Sequence, residues 1–319
     1  MVAFYVDKLG SVKRDRISVV IPLFNSEDWI RQTLLSVCEQ DLPPFEIIVI
    51  DDGSTDRSCE IVNQVAKEFP KIAFLIHSIE NSGVSTARNL GISLCSGDLV
   101  ALLDGDDVWL SSKLRMQYSY LVANPECVAV LTDFFISISK TNGELRNLRV
   151  ISKKGVRDIG LNWLNLQGNG ALLSSTILFW RHPVTKRATF HEHLSTAADL
   201  SYYFQLTQIN RVGHIFIPLT QYRQHGKQMH TNPDLLKNDF RILLDELEFS
   251  GIEFNQRRIL GNVYVMSALL NLSKGRYKVA CRDIFLGFIK WPSSLVLIPS
   301  AVVAKRVKGY LTLKTVTPR

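Results

Sequence analysis

Two rhythms of apolar and polar residues alternate over the first 120 positions of the chain. Short apolar or β-branched runs at 17–21, 45–50, 72–76 and 99–103 read as strands, and the last is continuous enough to be buried on both faces. Between them lie stretches of about a dozen residues with apolar side chains at helical spacing. Trp29, Ile30, Leu34 and Val37 form one such stripe, in a helix that begins near Glu27 behind an Asn25 or Ser26 cap. Strands alternating with helices of this length predict βαβ units and a parallel sheet.

After residue 121 the rhythm changes. Segments 128–131 and 134–138 are β-like, with Thr141-Asn142-Gly143-Glu144 as a turn; 160–170 is loop-rich, and 174–179 is a further strand. A helix is predicted over 196–208 and one or two strands over 212–223. From 235 onward helical spacing dominates, in segments 235–249, 257–274 and 275–290. The expected fold is therefore α/β, a mostly parallel sheet flanked by helices, with a C-terminal helical extension. Its expected parts are a loosely ordered leader (1–16), a domain over 17–230 in two halves (17–123 and 124–230), and a helical, basic extension (231–319).

Composition adds limits. With 319 residues, 46% of them hydrophobic and 21% charged, the chain suits one large or two modest domains. Five scattered cysteines with no CxxC spacing point to a reduced, cytoplasmic chain, and the N-terminus lacks the apolar core of a cleaved signal peptide. The net charge of +7 is unevenly placed: from Arg257 onward twelve Lys and Arg face a single acid, Asp283, whereas the preceding residues carry 25 basic and 29 acidic side chains. Basic residues in the company of Phe, Trp, Leu and Val favour an anionic membrane surface over nucleic acid. The uncharged stretch 291–304 is too short to span a bilayer and is interrupted by Pro292 and Pro299. It reads either as an interfacial helix, with Lys305, Arg306 and Lys308 toward headgroups, or as a helix packed on the rest of the protein.

Candidate chemistry lies where the strands end. Asp104-Gly105-Asp106-Asp107 directly follows the buried run 99–103, and Asp51-Asp52 ends the second strand. Carboxylates at the carboxyl ends of parallel strands occupy the rim where open α/β sheets bind ligands. A hard divalent cation carrying a phosphorylated ligand would neutralise them, although an acidic turn with an Asp cap before Trp109 would look the same. Arg88, near the start of the helix after Asn81-Ser82-Gly83, suits a diphosphate by charge and by its fork of donors, and suits these aspartates equally well. Asp199 sits in the later helix. A nicotinamide oxidoreductase should show GxGxxG where this chain has PLFNSE, and a sugar nucleotidyltransferase should carry a glycine-rich basic loop there.

The segments VVIPLFNSEDWI, IIVIDDGSTDRS, NSGVSTARNLGI and LVALLDGDDVWL, in this order and spacing, resemble the nucleotide-sugar-binding half of the family 2 inverting glycosyltransferases of the GT-A fold. The resemblance is dense over 17–123 and weaker to about 230. It implies transfer of a sugar from a nucleoside-diphosphate donor, here a UDP-sugar, to a hydroxyl of a glycan or lipid-linked saccharide, in cell-envelope polysaccharide synthesis at the cytoplasmic face of the membrane. Mn²⁺ or Mg²⁺ is the implied cofactor. The implied donor site comprises Pro22, Phe24 and Asp52 at the nucleobase with Asp51 beside them, Glu27 at the ribose, Asn81, Gly83 and Arg88 on the rim, and Asp104 and Asp106 as the DxD pair. Asp106 is the implied metal ligand, with Asp107 as an alternative.

Asp199 stands where the family places its catalytic base, although Ala198 replaces the Glu of the usual Glu-Asp pair. The segment Gln221-Tyr222-Arg223-Gln224-His225 resembles the family's YRxH motif, with His225 at the diphosphate or metal and Arg223 bracing it. Segment 174–179 would line the acceptor side. His182, His191, His193, His214 and His230 have no metal-ligand spacing. There is no QxxRW motif, which favours single addition over processive synthesis. The alternative reading is a catalytically degenerate scaffold of the same fold that binds partners or membrane.

Overall fold

The computed structural model describes residues 5–6, 12–13, 15–139, 145–150, 173–225, 232–249 and 255–293. The chain divides into two compact units, the boundary falling between Gln228 and Met229. In the first unit β1 (Tyr5–Val6) and β2 (Val12–Lys13) pair antiparallel, so the leader contains a short hairpin that its composition did not predict. Then follow β3 (Ile17–Leu23), α1 (Ile30–Cys38), β4 (Glu46–Asp51), α2 (Ser58–Glu68), β5 (Ala73–Ser78), α3 (Val84–Leu94) and β6 (Leu99–Leu102). These strands pair in parallel in the order β5-β4-β3-β6, as the alternating pattern predicts. β3 and β6 are buried along their whole length, and β5 alternates in exposure because it is the edge. Gly91 lets α3 close onto the sheet: a β-carbon there would press into the Val20 side chain and come within 3.2 Å of Ile50 Cγ1.

The later elements of this unit are β7 (Val108–Trp109), α4 (Lys113–Ala123), β8 (Cys127–Ser139), β9 (Leu145–Val150), a 3-10 turn (Ser174–Thr176), β10 (Leu178–Trp180), α5 (Arg181–Val184), α6 (Ala198–Ile209) and β11 (Arg211–Gln224). They continue the sheet as β6-β10-β8-β11-β7, with β9 on the free flank of β8. Pairing here is mixed: β10 is antiparallel to both neighbours, β8 and β11 are parallel, and β7 returns antiparallel onto β11. The predicted strands 128–131 and 134–138 are one strand, β8, and 212–223 is likewise the single strand β11. Segment 174–179 is half 3-10 turn and half strand. The predicted turn at 141–144 and loop at 160–170 lie outside the described residues.

The pattern missed α4 because polar side chains occupy its buried face. Lys113 and Gln117 are both fully buried; Lys113 Nζ donates to Gln117 Oε1 (2.7 Å) and lies 4.0 Å from the centre of the Trp109 ring. Gln117 Nε2 in turn donates to the carbonyls of Val130 and Thr176.

The second unit contains α7 (Pro233–Phe249), α8 (Gln256–Ser273) and α9 (Tyr277–Lys290), close to the three helical segments predicted. Its interior holds a polar knot: Asp283, fully buried on α9, accepts from Ser267 Oγ (2.7 Å), Asn271 Nδ2 (3.2 Å) and Lys237 Nζ (3.4 Å). Among the described residues no helix is long and apolar enough to cross a membrane. The basic segment from residue 294 lies outside them.

Candidate active site

The loops after β3, β4, β5 and β6 all leave the sheet at one end and are tied together there. Asn25 accepts from Thr55 N through Oδ1 (2.9 Å), and its own N–H donates to Ser54 Oγ (3.1 Å). Asp52, 5% exposed, receives the backbone N–H groups of Ser82 (2.6 Å) and Gly83 (2.9 Å). This fixes the entry into α3, where Gly83 has φ +92°, a left-handed value that a side chain would strain. The loop after β6 is braced from the other side, with Thr33 Oγ1 donating to the Gly105 carbonyl (3.0 Å).

Helix α3 then delivers Arg88, 4% exposed, into the middle of the acids. Its Nη2 donates to Asp104 Oδ1 (2.7 Å) and its Nη1 to Asp199 Oδ1 (2.9 Å), so one guanidinium joins the loop after β6 to the first turn of α6. Its flat face lies 5.1 Å from the Phe190 ring. Burial opposes the charge on Arg88, and Asp104 and Asp199 more than offset it, so the guanidinium is held cationic. Asp199 is further fixed by Ser174, which donates to it through both its backbone N–H (2.9 Å) and its hydroxyl (2.7 Å).

The remaining acids differ from one another in setting. Asp107 is fully buried and accepts from Ser175 Oγ (2.5 Å) and Arg223 N (3.2 Å). Burial first, and then the charges of Asp106 and Asp104, raise its carboxyl well above the usual range. Asp106 is more open, with 21% of its side chain exposed, and is bonded to His225 Nε2 at 2.8 Å. The His225 ring stacks on Trp29, with centroids 4.0 Å apart and planes 13° from parallel. Arg223 reaches away to Gln32 Oε1 (2.8 Å).

The structure therefore brings together six residues singled out from the sequence: Arg88, Asp104, Asp106, Asp107, Asp199 and His225. Pro22 lies beneath them in β3, its carbonyl oxygen 3.3 Å from where a β-carbon on Gly105 would stand. Phe24, 48% exposed, lies on the rim. Asn81 is packed against Gly53. Two others brace the loops, for Asp51 accepts from Ser54 N (3.0 Å) within its own loop and Glu27 ties the loop after β3 to the one after β4 by pairing with Arg57 Nε (3.4 Å). Trp29 was read only as a helix-stripe residue, and Ser174 and Ser175 only as an acceptor-side strand. The run Ser174-Ser175-Thr176 was the available signal, since consecutive hydroxyls beside a buried strand need polar partners.

A divalent cation would find hard oxygen donors in Asp106 and Asp104, both partly open. Among the described residues, however, no set of three or more His, Cys, Asp or Glu side chains converges as a metal-binding group. Two carboxylates fit a cation that keeps water or phosphate oxygens for its other positions.

The chain is 36% identical over 108 residues to an uncharacterised glycosyltransferase of Haemophilus influenzae, covering 34% of this chain and 43% of that protein. It is 30% identical over 194 residues to the minor teichoic acid biosynthesis protein GgaA of Bacillus subtilis, covering 59% and 42%. The matched stretches thus span less than half the length of these relatives. Among solved structures, S. aureus TarS 1–349 in complex with UDP-GlcNAc superposes with a TM-score of 0.61 at 18% identity, over 91% of this chain and 83% of that one. The mannosyltransferase PcManGT of Pyrobaculum calidifontis, in complex with GDP-Man and Mn²⁺, does so at 0.57 and 17%, over 94% and 81%. The fold is thus the GT-A fold of these transferases. The model of glycosyl transferase family 2 matches residues 18–179, about half of the chain, and the chain belongs to that family.

Proposed function

We propose that the chain transfers a single sugar, with inversion, from a UDP-sugar to a hydroxyl of a glycan or lipid-linked saccharide of the cell envelope. The observation that carries this reading is the Arg88 fork, which holds Asp104 and Asp199 about one buried cation; the reading assigns the first to the donor and the second to the acceptor. The UDP and UDP-GlcNAc complexes of TarS support a uridine donor, and GgaA, by its name, supports an envelope polymer as acceptor.

In this reading Phe24 stacks on the nucleobase and Asp52 takes its imide N–H, while Arg88 faces the diphosphate. Asp106 and Asp104 would hold Mn²⁺ or Mg²⁺, which when bound neutralises the leaving diphosphate. The full burial of Asp107 makes it a support for the loop rather than a ligand. Asp199 takes the proton of the acceptor hydroxyl as that oxygen bonds to the anomeric carbon; the bond to the diphosphate breaks on the opposite face and UDP leaves. Ser174 keeps the Asp199 carboxylate in place for this, and His225, held flat by Trp29, steadies Asp106. The basic segment beyond Trp291 would keep the protein at the inner membrane surface, where such acceptors are made.

The test is a thermal-shift panel of UDP, GDP, CDP, dTDP and NAD, each with and without Mn²⁺. A metal-dependent shift with UDP is expected. GDP in its place would reassign the base, NAD alone would overturn the reading, and no shift with any compound would favour the degenerate scaffold. Asp199→Asn should keep the UDP shift and lose transfer.

A further inference from the structure

Among the described residues, helix α9 is covered on one side only. Ala280, Asp283 and Gly287 are buried, and the opposite face leaves Phe285 62%, Ile289 57% and Phe288 47% exposed. These three large apolar side chains are spaced i, i+3, i+4 and so form one contiguous patch. Lys278 and Arg282 precede them on the same face, one and two turns toward the N-terminus, and Lys290 follows. Between residues 255 and 293 there are seven Lys and Arg side chains and a single acid, Asp283, which is fully buried. The patch is therefore apolar in the middle and basic around it, and α9 itself carries no exposed carboxylate; Arg282, 63% exposed, has Nη2 3.7 Å from the buried Asp283 Oδ1.

That charge pattern selects among occupants. A second copy docked through the same face would add its own Lys278, Arg282 and Lys290 to the contact, and α9 offers no exposed carboxylate to pair them. An acyl boundary beneath anionic headgroups instead takes the rings and the isoleucine, and its phosphates pair with the cations. We infer that the α9 face carrying Phe285, Phe288 and Ile289 is a membrane-interface surface for anionic phospholipid, lying parallel to the bilayer with Lys278, Arg282 and Lys290 at the phosphates. The 14 residues of α9 would lie along about 21 Å of surface without crossing it. This surface consists of α9 residues alone.

Cys281 provides a direct reporter. It lies on the same face and is exposed, whereas Cys38, Cys95 and Cys127 are buried and Cys59 is half-covered. Burial also pushes the Cys38, Cys59 and Cys95 thiols up to about 12, so a maleimide at neutral pH reacts at Cys281. The full chain, labelled there with an environment-sensitive dye, is mixed with vesicles of phosphatidylcholine alone or with 30 mol% phosphatidylglycerol. The expected result is a blue shift and co-sedimentation with the anionic vesicles only. Partitioning should fall at least about tenfold in the triple variant Phe285→Ser, Phe288→Ser, Ile289→Ser, and in Lys278→Glu with Lys290→Glu. Circular dichroism melts of both variants should match the parent, because the altered side chains are exposed. Binding that survives both variants but is lost when residues 294–319 are removed would overturn the α9 assignment and leave the tail as the contact. A dimer that dissociates in the serine variant, with no vesicle binding, would overturn it in favour of self-association. Absence of any blue shift would overturn it as well.

Discussion

Arg88→Met tests the centre of the molecule. Methionine fills much of the volume of the stem but removes the guanidinium that Asp104 and Asp199 share. Breaking a buried ion pair by deleting one partner costs about 3–5 kcal/mol. The two carboxylates left behind are 29% and 20% exposed, so water compensates in part and the lower end, about 3 kcal/mol, applies. For a unit of this size each kcal/mol lowers the melting temperature by roughly 2–4 °C, so a fall of roughly 6–12 °C is expected in calorimetry. The cause can be separated from simple repacking by a double-mutant cycle. Asp199→Asn removes one of the two stranded charges, so Arg88→Met with Asp199→Asn should be more stable than the sum of the single losses by about 1–3 kcal/mol. Arg88→Lys should recover only part of the loss, because one ammonium does not fork to two carboxylates. A single Arg88→Met variant that melts within a degree of the parent, or a cycle that closes additively, would refute the shared-cation account.

Three other outcomes follow from features of the first unit. Gly91→Ala, although it adds a good helix former, should destabilise by about 1–3 kcal/mol in denaturant titration, since the new methyl meets Val20 and Ile50. His214 Nε2 lies 2.8 Å from the Asp133 Oδ1 acceptor, and burial holds its imidazole below the ordinary 6.5. The native state therefore resists protonation: this contribution is complete above pH 6.5 and is lost as the pH falls below it, so His214→Gln should flatten the decline of stability between pH 7 and 5. Trp29→Leu should remove the ring-current shift of the His225 protons in NMR and weaken UDP binding by about 2–10-fold, the scale of one aromatic stack. An unshifted His225 spectrum would rule out the stack in solution.

What could be read from the sequence was whatever depends on short-range periodicity. The runs at 17–21, 45–50 and 99–103 became β3, β4 and β6 because strands buried on both faces need unbroken apolar side chains, and that leaves a local mark. Strand direction in the second half leaves none: β10 has only three residues and runs antiparallel because of where the chain re-enters the sheet. The same division holds at the site. Asp104, Asp106 and Asp107 stand out by adjacency, Arg88 by its charge near the start of a helix on the same rim, and Asp199 through a family resemblance. The fork that joins these two spans 111 positions, and the stack of Trp29 on His225 spans still more; neither is encoded in spacing. Lys113 and Gln117 misled the reading of α4 for a related reason, because a polar pair satisfied inside the core looks exposed in a hydropathy pattern.

β7 has only two residues, yet it changes what the acidic loop is. On one side Leu103 N donates to the Val20 carbonyl (3.0 Å) and on the other Leu110 N donates to that of Leu219 (2.9 Å), with β7 paired to Thr220 and Gln221 between them. Binding loops are ordinarily drawn from the regions that open most easily. This one is anchored to the sheet at both ends, so the backbone amides of Leu103 and Leu110 should exchange with deuterium only when the sheet itself opens. The carboxylates would then not fold around a ligand. They would await it in a fixed array, and the ligand, not the loop, would have to adapt.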